Sequence, residues 1–355
     1  MRKFICLIIL GACQLSACVN STYSRLDEKR VTNELAYIVM GQFAHRSTEF
    51  YRFQEKKAQA SLSEDENNFS ARNDLAVAYI KLGRYQDAEK ELQKNEDLYP
   101  GKYETAANLG VLYKKKENFA QAAKYIEKSL QIKAGGHMGL GDYYLKMCES
   151  LAKEDFTINF LGVAYDAEPQ VNADVANKEY LISLIKNDYM FADAYLILGD
   201  VFYVEGEYQL AALAYGRAKY LGISYNIYKR LNLLREKWRG LKKAGELVED
   251  RHSLYRSISK SSKEAQIWVD QFKVVDADLI KRTGEAKSID AVLQEMDKQG
   301  IKREFPLTVG VFKGYRVHPG AIFFFLWISV ITIIVFLIIR NRIKKNKKIT
   351  LVNEQ

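Results

Sequence analysis

LAVAYIKLGRYQDAEKELQKNEDLYP occupies residues 75–100, and its reading decides the fold. Leu75, Ala76 and Tyr79 stand three and four residues apart, so they share one face of a helix. Gly83 offers a tight turn, Ala88 and Leu92 form a second helical stripe, and Pro100 ends it. The stretch therefore predicts two short helices folded back on each other.

The same pattern returns at an offset of 34 residues, where Leu109, Gly110 and Tyr113 are followed by Phe119, Ala122 and Ile126. A third copy has Tyr195, Leu198, Gly199 and Phe202, then Gly206, Tyr208, Ala211, Tyr215 and Ala218. Ala76, Gly110 and Gly199, with Ala88, Ala122 and Ala211, are small where paired helices approach closest. Tyr79, Tyr113 and Phe202 fill the space between one pair and the next. This pattern resembles the tetratricopeptide repeat (TPR), a helix–turn–helix unit. The resemblance implies an all-α fold, a TPR helical solenoid with helical caps. Clear repeats cover 69–102, 103–136 and 192–225 within a repeat domain at 69–224.

A degenerate repeat with an insertion fills 137–191. Leu140, Gly141 and Tyr144 open it, 177–188 closes it, and 156–174 reads as a surface loop between them. Before the repeats, 33–40 and 49–62 read as a helical pair within a cap at 19–68, joined through Gly41, Gln42 and Phe43. After Ser224 the period is lost. Ile227, Leu231, Leu234, Trp238 and Leu241 form a short heptad stripe in a helical region at 225–300. Gly240, Gly245 and the serines between 257 and 262 interrupt it, and further helices are expected over 263–283 and 287–299. That region reads as a cap packed on the solenoid, the other reading being a coiled-coil oligomeriser.

Both ends of the chain carry membrane signals. Residues 1–18 have a basic start (Arg2, Lys3), an apolar run and small residues, the layout of an export signal. Leu15-Ser16-Ala17-Cys18 resembles the lipobox of bacterial lipoproteins, which implies lipidation at Cys18. Plain cleavage nearby and an uncleaved anchor are the other readings. Residues 320–339 carry no charge over twenty positions, enough for one transmembrane helix of about 30 Å. Six basic residues follow within 340–348, in a basic tail at 340–355. The positive-inside rule then places 19–319 outside the cytoplasm and the C-terminus within, in a single pass through the inner (cytoplasmic) membrane of a bacterium. Residues 301–319 form the juxtamembrane linker. The tail is expected to lie against anionic lipid headgroups.

Charge agrees with this placement. Of the net +9, residues 1–18 hold +2 and 340–355 hold +5, leaving about +2 over 19–339. No nucleic-acid surface is indicated. Of four cysteines, Cys6, Cys13 and Cys18 belong to the leader, leaving Cys148 as a buried thiol. The four histidines lack zinc spacing, and glycine-rich 135–142 lacks the Lys-Ser/Thr ending of a phosphate loop. No metal, no cofactor and no catalytic residue is expected, so the chain reads as no enzyme.

The resemblance implies that the repeats bind a protein or peptide partner in a groove lined by their first helices. On the family's framework the lining is Asn73, Val77 and Ile80; Asn108, Val111 and Lys114; Leu196, Asp200 and Tyr203. Relatives that clamp a C-terminal carboxylate use a lysine and asparagines. Here only Asn108 matches, because Asn73 and Val77 stand at the other positions. The alternative function is an enzyme or small-ligand receptor built on 137–191.

Overall fold

The computed structural model describes residues 21–23, 35–136, 139–153, 157–162, 164–165, 167–169, 178–223, 227–243 and 251–302. The export signal with Cys18, the transmembrane segment, the basic tail and nearly all of the linker lie outside the described residues. Among the described residues no helix is long and apolar enough to cross a membrane.

The first repeat pairs α3 (Phe69–Lys81) with α4 (Tyr85–Leu98), and the second pairs α5 (Tyr103–Lys115) with α6 (Phe119–Ile132). The third clear copy pairs α9 (Ala192–Val204) with α10 (Tyr208–Tyr220). All three turns close alike. Arg84, Asn118 and Glu207 donate their backbone N–H to the carbonyls of Tyr79, Tyr113 and Phe202 at 2.8–2.9 Å. This closure needs a left-handed residue, supplied by Gly83 (φ 75°) and Gly206 (φ 81°). Glu117 takes the same conformation (φ 59°) without glycine's freedom, at a cost of about 1–2 kcal/mol. Asn68 and Asn118 cap α3 and α6 by accepting from Ala71 and Gln121.

Helix contact depends on the small positions. Ala76, Ala88, Ala122 and Ala211 are fully buried. A Cβ added at Gly199 would lie 2.4 Å from Cε1 of Tyr215, a buried ring whose hydroxyl donates to Asp200 at 2.7 Å. That ring is held at both ends. Gly199→Ala is therefore expected to lose about 1–3 kcal/mol in a thermal melt. At Gly110 an added Cβ would stand 2.5 Å from Cδ1, 2.8 Å from Cγ1 and 3.2 Å from the backbone N of Ile126, so Gly110→Ala is also expected to destabilise. Equal melting of Gly199→Ala and the parent would refute this account of the contact.

Three elements depart from the sequence reading. The expected N-terminal pair is not a hairpin. Its first helix, α1 (Leu35–Val39), packs on α10 and on α8 (Lys178–Asn187), whereas α2 (Thr48–Glu64) packs on α3. The connecting residues 40–47 are buried throughout, so the segment crosses the molecule as a strap.

The serine-rich stretch does not interrupt a helix. α12 (Arg251–Thr283) runs through it for 33 residues. Ser261 and Ser262 are buried, and α12 packs on both α10 and α2. Small side chains give contact there, not a break. Trp268, Val269, Phe272 and Val275 of α12 share a core with Ile289, Val292 and Met296 of α13 (Ile289–Lys298). α12 and α13 thus bury these apolar residues against each other, while Ile267 and Val274 of α12 are exposed.

The insertion is tied down where it is described. α7 (Gly141–Lys153) packs on α6 as the degenerate repeat's first helix, but α8 packs on α9. Between them Asn159 and Phe160 are buried, Ile158 bridges Ala164, and the Tyr165 hydroxyl donates to Asp193 at 2.7 Å.

Candidate functional site

The nine groove positions do not form one open lining. Asn73, Val77, Asn108, Leu196 and Asp200 are buried within the chain. Asn108 donates through Nδ2 to Oδ1 of Asn73 at 2.8 Å, so the two amides of successive repeats satisfy each other. Asp200 faces α11 (Ile227–Lys243), where Arg230 grips both carboxylate oxygens at 2.7 Å. Burial and that carboxylate together hold the Tyr215 hydroxyl well above the usual phenol range. Tyr203 remains partly exposed and packs edge-on against Tyr208 at 5.7 Å. Two sets of contacts occupy these polar positions: Asn73 and Asn108 pair inside the repeats, and Arg230 of α11 takes Asp200.

Ile80 and Val111 are buried as well, and with Lys114 they line a cavity of about 520 Å³. Its walls come from several parts of the chain. The ends of α3 and α5 give Ile80, Lys81, Lys114 and Lys115; α7 gives Tyr144. The strap and α2 give His45, Arg46 and Tyr51, and α12 gives Lys273. The end of α8 and the turn after it contribute Lys186 through Met190.

The electrostatics of this cavity are one-sided. Among the described residues, six cationic side chains line it against the single carboxylate of Asp188. Asp188 pairs with Lys114, whose ammonium also lies 5.5 Å from the Tyr144 ring centroid. Burial would raise the Asp188 pKa, but Lys114, Lys115 and Lys81 outweigh it and hold the carboxyl below its ordinary value. Lys186 is pushed the other way, downward, by burial. Arg46 meets Asp276 at 2.8 Å and stacks 4.4 Å from the Phe50 ring centroid. His45 stacks on Tyr189 with centroids 3.8 Å apart. Lysine and arginine side chains thus outnumber carboxylates in the lining.

The arrangement gives no sign of bond-making chemistry. Cys148 is buried and its thiol is pushed up to about 11, chiefly by burial, so it is not poised as a nucleophile. Among the described residues no cluster of His, Cys, Asp and Glu could hold a metal ion. In the glycine-rich stretch, Gly135 and Gly139 take left-handed turns. Gly141 lies against Leu130, where an added Cβ would stand 2.2 Å from Cδ2.

The family model for the tetratricopeptide repeat matches residues 73–137 and 172–222. These segments are tetratricopeptide repeats. The first match covers α3 to α6, and the second reaches from before α8 to the end of α10. No curated protein matches the chain. The cavity therefore lies beside the ends of two regular TPR helices, α3 and α5, and is completed by non-repeat elements. Sequence reasoning could find Lys81 and Lys115, which stand 34 residues apart at equivalent repeat positions. It had no signal for Arg46, Lys186 or Lys273, which reach the cavity through long-range packing.

Proposed function

We propose that the chain is a non-enzymatic, membrane-anchored TPR scaffold that holds a protein partner outside the cytoplasm, in assembly of a bacterial cell envelope. The observation carrying the binding role is the cavity at the ends of α3 and α5, because repeats of this family bind polypeptide along their first helices. The membrane role rests on the sequence of both ends: the leader with Cys18, the uncharged run 320–339 and the six basic residues after it.

A photo-crosslinking residue placed at Tyr85, which lines the cavity, is expected to give a discrete protein adduct in intact cells. The same residue at exposed Gln93 on α4 should not give that adduct. A fluorescent protein fused after Gln355 should mature in the cytoplasm, while external protease removes the repeats from permeabilised cells. Identical cross-linking from both positions, or repeats protected from external protease, would remove the corresponding half of the reading.

A further inference from the structure

We infer that the cavity takes an extended, acidic internal segment of the partner polypeptide. This inference rests on the scaffold reading above and names the partner's chemistry.

Three observations lead to an acidic chain. The lining carries six cations and one carboxylate; Asp276 and Asp270 outside it meet Arg46 and Lys273, and the lining itself stays positive. The cations also repeat. Lys81 and Lys115 are equivalent residues of successive repeats whose first helices, α3 and α5, pack on each other. Packed helices stand about 8–10 Å apart. An extended chain advances about 3.3 Å per residue, so carboxylates at every third position, about 9.9 Å apart, match that interval. Finally, the protein already places one carboxylate among these lysines. Asp188 pairs there with Lys114, and the neighbouring lysines hold its carboxyl below the ordinary value, the same contacts that an incoming glutamate or aspartate would meet.

The geometry disfavours a phosphate group. Arg46 is the one guanidinium in the lining, and it is engaged with Asp276. Gly83 is the one glycine there, and its N–H donates to the Ile80 carbonyl. A single glycine in the lining makes no glycine-rich loop of the kind that cradles phosphate oxygens. Separate lysine ammoniums, with Tyr51, Tyr85 and Tyr144 between them, suit spaced carboxylates on a chain with apolar contacts. A free C-terminus is not required, since the family's terminal-carboxylate residues are replaced or buried.

The test uses the full chain in detergent and a fluorescent, C-terminally amidated peptide with glutamate at every third position. Fluorescence anisotropy should show salt-sensitive binding that is lost when glutamine replaces the glutamates. Lys81 and Lys115 are exposed, so K81E/K115E should keep the parent's circular dichroism, with a lower melting temperature because both charges also act on Asp188. That variant should bind the glutamate peptide about tenfold more weakly or worse, since like charges then face each other. Equal binding of the glutamine peptide, or undiminished binding by K81E/K115E, overturns the inference. Tight binding of inorganic tripolyphosphate without peptide binding also overturns it and makes the cavity a phosphate site. If Tyr85 cross-links a partner in cells but the glutamate peptide fails to bind, this inference falls and the scaffold stands. Peptide binding without any cellular adduct has the opposite meaning: the scaffold reading falls, and the preference for an acidic chain stands.

Discussion

Methionine in place of Arg230 is expected to destabilise the fold by about 3–5 kcal/mol, measured by urea unfolding followed by circular dichroism. The guanidinium has no exposed side-chain surface. Nε and Nη2 donate to the two oxygens of Asp200, and Nη1 donates to the Tyr165 carbonyl, all at 2.7 Å. Truncating it leaves the buried Asp200 carboxylate with the Tyr215 hydroxyl but without its counter-charge. The cost is the desolvation of an uncompensated charge, not the small net worth of the pair. Two variants separate those quantities. Arg230→Lys keeps the charge but not the planar fork, and should lose less. Arg230→Met combined with Asp200→Asn removes both charges and should recover much of the stability. A loss below about 1 kcal/mol in the methionine variant would mean that water reaches Asp200 and that α11 does not seal this site.

Asp276→Ala is expected to have an effect of similar size, about 3–5 kcal/mol, at a second locus. Arg46 and Asp276 are 3% and 1% exposed, which is why surface screening does not diminish the pair. The carboxylate accepts from Arg46 at 2.8 Å, from the Ser47 backbone N–H at 2.9 Å and from the Ser47 hydroxyl at 2.8 Å. Ser47 in turn caps α2 by accepting from the Phe50 N–H at 3.1 Å. One aspartate on α12 therefore holds the strap and starts α2. Alanine leaves the buried Arg46 without its carboxylate and removes the anchor of the Ser47 cap. Limited proteolysis should then cut within 40–47 faster than in the parent. Asp276→Asn can retain one of the accepted hydrogen bonds and should lose less. A strap that resists protease in the alanine variant would contradict this role.

The repeat hairpins were legible because their instructions are local. Small residues at 76, 110 and 199, a turn after each first helix and a 34-residue period specify a stackable pair without knowledge of distant chain. The stripe of Ile227, Leu231 and Leu234 was legible for the same reason, and all three are buried on α11. Serines at 257–262 misled, because a residue with modest helix propensity lies in a helix once it permits close packing. The short helix at 35–39 misled in another way: its periodicity declares a helix, not the element it will meet.

The candidate site divides along the same line. Lys81, Lys115, Ile80, Val111 and Lys114 could be placed on the first helices from the repeat alone. Arg46, Lys186 and Lys273 could not, because nothing near them in sequence says which cavity they enter.

Sequence alone determined that this chain folds into paired helices, since side-chain size at fixed intervals governs how helices approach. Tertiary structure decided which of their positions a ligand can reach. Arg46 meets Asp276 across 230 residues and Arg230 meets Asp200 across 30. Buried charges require partners, and these two pairs tie the strap to α12 and α11 to α9.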